Sequence, residues 1–475
     1  MNKILKKFPK EKTPEEIVKA SGVYYYLKNG TKLMDATSGW TGYANLGFSH
    51  PRLINAIEKQ LKKFSHIDYN IWHNPQLDEL AEKILNFATN GLDKIYFGGT
   101  SGSDAIDAAM KLSYQIHHDN NKKEKINYIS RVQSFNGATL QAMSVSDLPI
   151  LKIYDPLMPK NVFKISQHNP YTSCEFDIKK NSCICGKNYN QCIGKLKNET
   201  DEEYVKRGAQ ELEEKILEIG PEKVCAFIGE TQLGSLVGDV PPVKGYWQEI
   251  GKICEKYDVH LILDEVYSGF GRSGKFFNYS WDNFSPDFVC IGKNTTSGVA
   301  PLSAIVTKSK FEDIIANGSG RIQLGHTFQG FSLGVAACLE SINIMEEEDL
   351  LNRINEKGAY SRKYLEENLN QNEFFKNVRG RGFGFSLEHK TPNNVIFALE
   401  MQKRMKLKHN ILINSKWHRT SFVLPFILSD DEIDNLLEKF VQTFNEINQD
   451  WLKVEQSFDL SSISPSMSGV NKNNK

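Results

Sequence analysis

Between about residues 61 and 320 the chain alternates short apolar runs with longer amphipathic stretches, and this rhythm restricts the fold more than anything else in the sequence. "KIYFGG", "NYISRV", "VCAFIGE", "HLILDEV" and "DFVCIGK" read as strands, each closing on a polar residue or glycine. "SGSDAIDAAMKLSYQIHH", "DEEYVKRGAQELEEKILEI" and "GYWQEIGKICEKY" read as helices. Strands and helices in alternation make an α/β fold with a mostly parallel sheet covered by helices. In such sheets ligands gather beyond the carboxyl ends of the strands, so the residues that end the runs deserve the closest reading.

A chain of 475 residues exceeds one ordinary core, and three segments are expected. Residues 1–60 begin the smaller domain, with Asn29-Gly30 as a hairpin turn. Residues 61–320 form the large domain. Residues 321–455, with longer helices around the strand pair "NVRGRGFGFSLEH" and "TSFVLPFIL", complete the smaller α+β domain. The Ser- and Asn-rich stretch 456–475 reads as a disordered tail.

Lys plus Arg and Asp plus Glu both total 58, which excludes a basic nucleic-acid footprint or an electrostatic membrane anchor. No apolar run approaches the roughly 18 residues needed to span a bilayer. The start "MNKILKKFPKEK" lacks the apolar core of a secretory signal. The expectation is a cytoplasmic protein without nucleic-acid or membrane partners. Cys225, Cys254, Cys290 and Cys338 stand in apolar surroundings as small buried hydrophobes. Cys174, Cys183, Cys185 and Cys192 crowd into an insertion at 170–200 without the Cys-x2-Cys spacing of zinc knuckles, so no metal site is expected.

Five features at strand ends or helix starts carry chemistry. Thr100 to Ser103 open a helix after a glycine turn, which suits either an ordinary cap or a bound phosphate. Phe135, beside Asn136 and a glycine, is either core or a cover for a planar ring. Asp264 and Glu265 end a buried strand, either solvated or facing a cation. Lys293 follows another, either reaching for water or held as an amine nucleophile for a Schiff base. Thr327 precedes a small-residue helix and is a further phosphate donor. A phosphate cradle, a stacking ring, a carboxylate and an amine together are the equipment for pyridoxal 5'-phosphate (PLP). Asp264 would face its ring nitrogen while Glu265 holds the turn.

"LILDEVYSGFGRSGKFF", "IGKNTTSGVAPLSAIV", "SGSDAIDAAMKL", "FNGATLQAMSVS", "HTFQGFSLGVAAC" and "NVRGRGFGFSLEH" resemble the signature blocks of class III (omega-type) aminotransferases. The resemblance spans about residues 20–450 and implies the type I PLP-dependent transferase fold. It implies that Lys293 forms the Schiff base and Asp264 pairs with the pyridinium. Val266 and Phe135 would sandwich the ring, while Ser101, Gly102, Ser103 and Asn136 would hold the cofactor. Thr327 would reach the phosphate of a neighbouring subunit, which implies a homodimer with shared sites. Trp40 and Glu230 would face substrate, and Arg419, which the resemblance does not supply, is either a displaced clamp for a substrate carboxylate or a surface arginine.

Two departures bear on the substrate. Asn136 stands where the family usually has histidine. Ser421 occupies the position, four residues before Pro425, at which relatives that clamp an α-carboxylate carry arginine; Arg419 lies two residues earlier, on the same face of a strand. The expected activity moves an amino group from an amine or ω-amino acid to a 2-oxo acid, pyruvate or 2-oxoglutarate, by a ping-pong mechanism. An aminomutase, a decarboxylase or a phospho-lyase of the same fold shares every motif, and a non-catalytic homologue is the remaining alternative.

Overall fold

The computed structural model describes residues 3–9, 14–171, 194–234 and 237–458, with the backbone of 173–174, 176–177 and 182–183. The expectations about the cysteine-rich insertion and about 459–475 fall outside the described residues. The chain divides into two compact units, Arg52–Leu351 and the pair Met1–Pro51 with Asn352–Lys475. The sequence placed these boundaries at 60 and 320. Helix Ser332–Glu347 explains the later one, because it packs on helix Pro75–Leu85 and on the turn after Lys293.

The main sheet of the larger unit has seven strands: β1 (Lys94–Gly99), β2 (Asn127–Arg131), β3 (Val162–Ile165), β4 (Val224–Glu230), β5 (His260–Asp264), β6 (Phe288–Ile291) and β7 (Ser303–Thr307). Their order is β1-β7-β6-β5-β4-β2-β3. Only β7 runs antiparallel to its neighbours, so the sheet is mostly parallel. β4, β5 and β6 are buried at every position, which accounts for their continuous apolar runs.

Helix α1 (Gly102–Asp119) crosses this sheet with Ala105, Ala108 and Ala109 against Ile228, Ile262 and Phe288. The small residues permit close approach: a Cβ added at Gly98 of β1 would already stand 3.2 Å from that of Ala108. Helix α2 (Asp201–Ile219) starts in a reciprocal cap. Thr200 Oγ1 accepts from Glu203 N at 3.2 Å, and the Glu203 carboxylate accepts from Thr200 N at 2.8 Å. Helix α3 (Tyr246–Lys256) buries Trp247 and Ile250.

In the smaller unit, strands Tyr24–Leu27 and Lys32–Asp35 form the hairpin that Asn29-Gly30 announces, with Gly30 at φ 87°. A second sheet orders 375–381, 384–389, 419–423 and 414–416, two strands more than the single pair expected.

Candidate active site

The last residues of β4 and β5, Glu230 and Asp264, are register partners on adjacent parallel strands. Such strands lie about 4.8 Å apart, so two carboxyl groups are forced into one another's field. Burial pushes Asp264 up to about 7, and the like charge of Glu230 adds to that. Val266 N donates to Asp264 Oδ1 at 2.9 Å. Burial raises Glu230 as well, against the pull of two backbone donors. Glu265 does different work. Its carboxylate accepts from Thr231 Oγ1, Asn278 N and Tyr279 N at 2.9, 2.6 and 2.7 Å, and so holds the turn after β5.

Lys293 follows β6 with φ 44°, a left-handed conformation rarely adopted by a side chain with a Cβ. Burial lowers its amine below the ordinary lysine value, while Asp264 and Glu230 pull it back up. Nζ stands 5.6 Å from the ring centroid of Tyr267.

Helix α1 begins beside these groups. Ser101 caps it, accepting from Asp104 N at 3.3 Å, and the Asp104 carboxylate accepts from Thr100 N and Ser101 N at 2.9 Å each. A Cβ on Gly102 would lie 2.4 Å from Val266 Cγ1, so only glycine fits at the first helical position. Glycine there brings the helix start against Val266, with the macrodipole favouring an anion at the N–H groups of 102 and 103. Ser103 Oγ accepts from Ala138 N at 2.9 Å and keeps its own hydrogen to donate.

The loop after β2 carries Phe135, whose ring is 44% exposed. Asn136 turns its amide into that loop, donating to Val145 O at 2.9 Å and Ser134 Oγ at 3.3 Å; its buried Oδ1 meets no donor among the described residues. Thr327 is exposed, and its carbonyl pairs with His66 Nε2 at 2.8 Å.

Trp40 and Arg419 belong to the smaller unit. Arg419 is buried in strand 419–423, paired in register with Glu388 and Lys416. Lys416 Nζ lies 5.1 Å from the Trp40 ring. Ser421 is taken up by a hydroxyl pair with Ser386 at 2.9 Å.

Two neighbours of the site escaped the sequence reading. Tyr267 flanks Lys293 while its hydroxyl donates to Asp239 Oδ1 at 2.6 Å; its place three residues after Asp264 was the available signal. Arg131 ends β2 and donates to the carbonyl of Glu230.

The residues fit PLP on three counts. A buried carboxylate near 7 awaits a cationic partner, a lysine amine lies within its electrostatic reach, and a helix start stripped of its Cβ can seat a phosphate. Among the described residues no group of three or more potential metal ligands occurs, and no helix is long and apolar enough to cross a membrane.

Comparison with known proteins agrees. The sequence profile of the family "Aminotransferase class-III" matches residues 8–444. Gamma aminobutyrate transaminase 2 of Solanum lycopersicum is 32% identical over 442 residues, covering 89% of this chain and 90% of the relative. Vanillin aminotransferase of Capsicum chinense shows the same identity and coverage. Among solved structures, the omega transaminase of Pseudomonas jessenii in complex with PMP superposes with a TM-score of 0.82 at 28% identity, covering 93% of this chain and 94% of that one. Profile, relatives and site converge, and the chain belongs to the class-III aminotransferases, PLP-dependent transaminases of the type I fold.

Proposed function

We propose that the enzyme takes the amino group of an amine or ω-amino acid and delivers it to a 2-oxo acid, pyruvate or 2-oxoglutarate, in two half-reactions on one site. The observation that carries this reading is Lys293 just after β6, left-handed in backbone, beside the Tyr267 ring and within the electrostatic reach of Asp264 and Glu230 at the ends of β5 and β4. Bound PLP supplies an electron sink that stabilises negative charge at the substrate carbon. With PLP bound, Lys293 Nζ would be the group that holds its carbonyl carbon, and the same amine would serve as general base and then acid at the substrate carbon. Burial lowers its pKa, which favours the neutral amine that a base requires, and positioned proton transfer of this kind contributes about 10²–10⁴ in rate. Asp264, ionised by a cationic partner, keeps the proton on the ring nitrogen. Val266 and Phe135 cover the two ring faces. Ser101, Gly102 and Ser103 receive the phosphate.

The buried Arg419 and the neighbouring Lys416 support a carboxylate on at least one substrate, since Ser421 offers none of the charge of an arginine. The exposed Thr327 supports a homodimer in which each chain completes the other's phosphate site.

The test is an absorbance spectrum of the PLP-loaded protein during addition of amines without acceptor. Bleaching of the cofactor band by certain amines, reversed by pyruvate or 2-oxoglutarate, is the expected outcome. A cofactor band that no amine bleaches would move the assignment to a mutase or a lyase.

A further inference from the structure

Glu230 is the acid that the family resemblance turns toward substrate, yet both of its carboxylate oxygens are occupied by the protein itself. Oε1 accepts from Phe135 N at 3.0 Å and Oε2 from Gly234 N at 2.6 Å. The approach is close: a Cβ at 234 would stand 2.9 Å from Oε2, so a side chain there would push the carboxylate aside.

The mount beneath the carboxylate is rigid. Arg131 captures the carbonyl of Glu230 and lies 5.3 Å from the ring centroid of Trp247. Trp247 Nε1 donates to Thr231 O at 3.0 Å, and Thr231 N donates to Asp264 O at 3.3 Å. Leu233 and Val240 exchange backbone hydrogen bonds at 3.0 and 2.9 Å. The Phe135 loop has no strand or helix of its own between Arg131 and Leu140. It is pinned at one end by Glu230, at the other by Ala138 N donating to Ser103 Oγ, and between them by Asn136 N donating to Ser146 Oγ at 2.8 Å.

We infer that Glu230 is a positioning residue for the cofactor rather than a substrate-binding acid: it buckles the Phe135 loop to the fixed end of β4, so that the ring is already in place before PLP arrives. A carboxylate suits the task because it accepts from two amides at once and donates to neither. The inference rests on Phe135 covering the cofactor ring, as proposed above.

Glu230→Gln tests it. The amide side chain keeps the size but offers a donor to one of the two backbone N–H groups, leaving that group buried and unpaired. Titration of the apo-protein with PLP, followed by the absorbance of the bound cofactor, should show affinity weakened roughly tenfold. The KM values of the loaded enzyme for amine and for 2-oxo acid should each move less than about twofold. Phe135→Leu should weaken PLP binding to a similar extent, and the double variant should lose little more than either single one, because both act through the same loop.

Unchanged PLP affinity in Glu230→Gln with a large rise in one substrate KM would overturn the inference and return Glu230 to the substrate. Full additivity in the double variant would overturn it too. Unchanged PLP affinity in Phe135→Leu would instead remove the stacking reading on which it rests. Should Glu230→Gln not fold, Gly234→Ala pushes the carboxylate by a few tenths of an ångström while leaving it in place. It should weaken PLP binding in the same direction, and wild-type affinity there would count against the buckle.

Discussion

The two ends of β4 and β5 bury polar groups in opposite ways. At their amino ends, His260 Nδ1 and Ser113 Oγ share a hydrogen bond of 2.7 Å, and His117 stacks on His260 with centroids 4.0 Å apart. His117 Nε2 pairs with Cys225 O at 3.1 Å, and Lys125 Nζ donates to the carbonyls of Pro221, Val224 and Tyr257. These groups meet neutral acceptors or one another, with Asp258 completing the charge at 3.9 Å from Lys125. At the carboxyl ends, Asp264 is given a single backbone donor, a like-charged neighbour and a lysine left 5.6 Å over a ring.

Titration behaviour does not distinguish the two ends. Burial, helped by Lys125, lowers His117 to about 4, and burial lowers His260 as well, just as burial raises Asp264. What distinguishes them is the inventory of partners. A perturbed group whose hydrogen bonds are complete holds the fold together; one whose bonds are incomplete is prepared for a ligand.

Lys293→Ala should break this contrast most severely. Turnover should fall by about 10⁴ or more while the circular dichroism spectrum and the melting temperature stay near those of the native protein. Wild-type turnover would remove the lysine from the mechanism. Asp264→Asn comes next, with a loss of about 10²–10³ in kcat, because a neutral amide cannot stabilise a protonated ring. Rates near the native value would end its assigned role.

The same carboxyl gives a signed effect on the apo-protein. Its folded pKa, about 7, exceeds the unfolded value of 3.8, so between those limits the folded state holds the extra proton. Its contribution therefore weakens as pH rises through 7, and Asp264→Asn should lose that slope in urea melts.

The histidine end runs the other way. His117 is near 4 when folded and 6.5 when unfolded, so the unfolded chain binds the extra proton between those values. Stability supplied by the neutral ring is present above pH 6.5 and is lost as pH falls toward 4. His117→Gln should flatten that loss, by roughly 2 kcal/mol at pH 5. An equally steep acid transition in the variant would place the sensitivity elsewhere. The smallest effect is expected from Ser113→Ala. It strands a buried imidazole nitrogen and should cost about 1–2 kcal/mol of stability with kcat unchanged within twofold. A tenfold loss of turnover there would mean that the amino ends belong to the site after all.

Much of this arrangement is legible in the residues. Asp264, Lys293 and the Thr100–Ser103 helix start each end or follow an apolar run, and periodicity alone marks such boundaries. β7, Ser303–Thr307, was passed over, since five residues of mixed polarity carry too little period to show a strand, let alone its direction. Nor does spacing indicate that Asn136 would be absorbed by its own loop or that Tyr267 would stand under Lys293.

The sequence by itself determined the α/β class and which residue types stand at the strand ends, because both follow from local pattern and from the cost of burying a polar group in mid-strand. Only the tertiary structure decided which ends are neighbours. Glu230 and Asp264 are 34 residues apart along the chain and adjacent across the sheet. Burial, with the neighbouring charge of Glu230 adding to it, raises Asp264 to about 7, and both burial and that distance are set by the folded chain, neither of which a linear sequence contains.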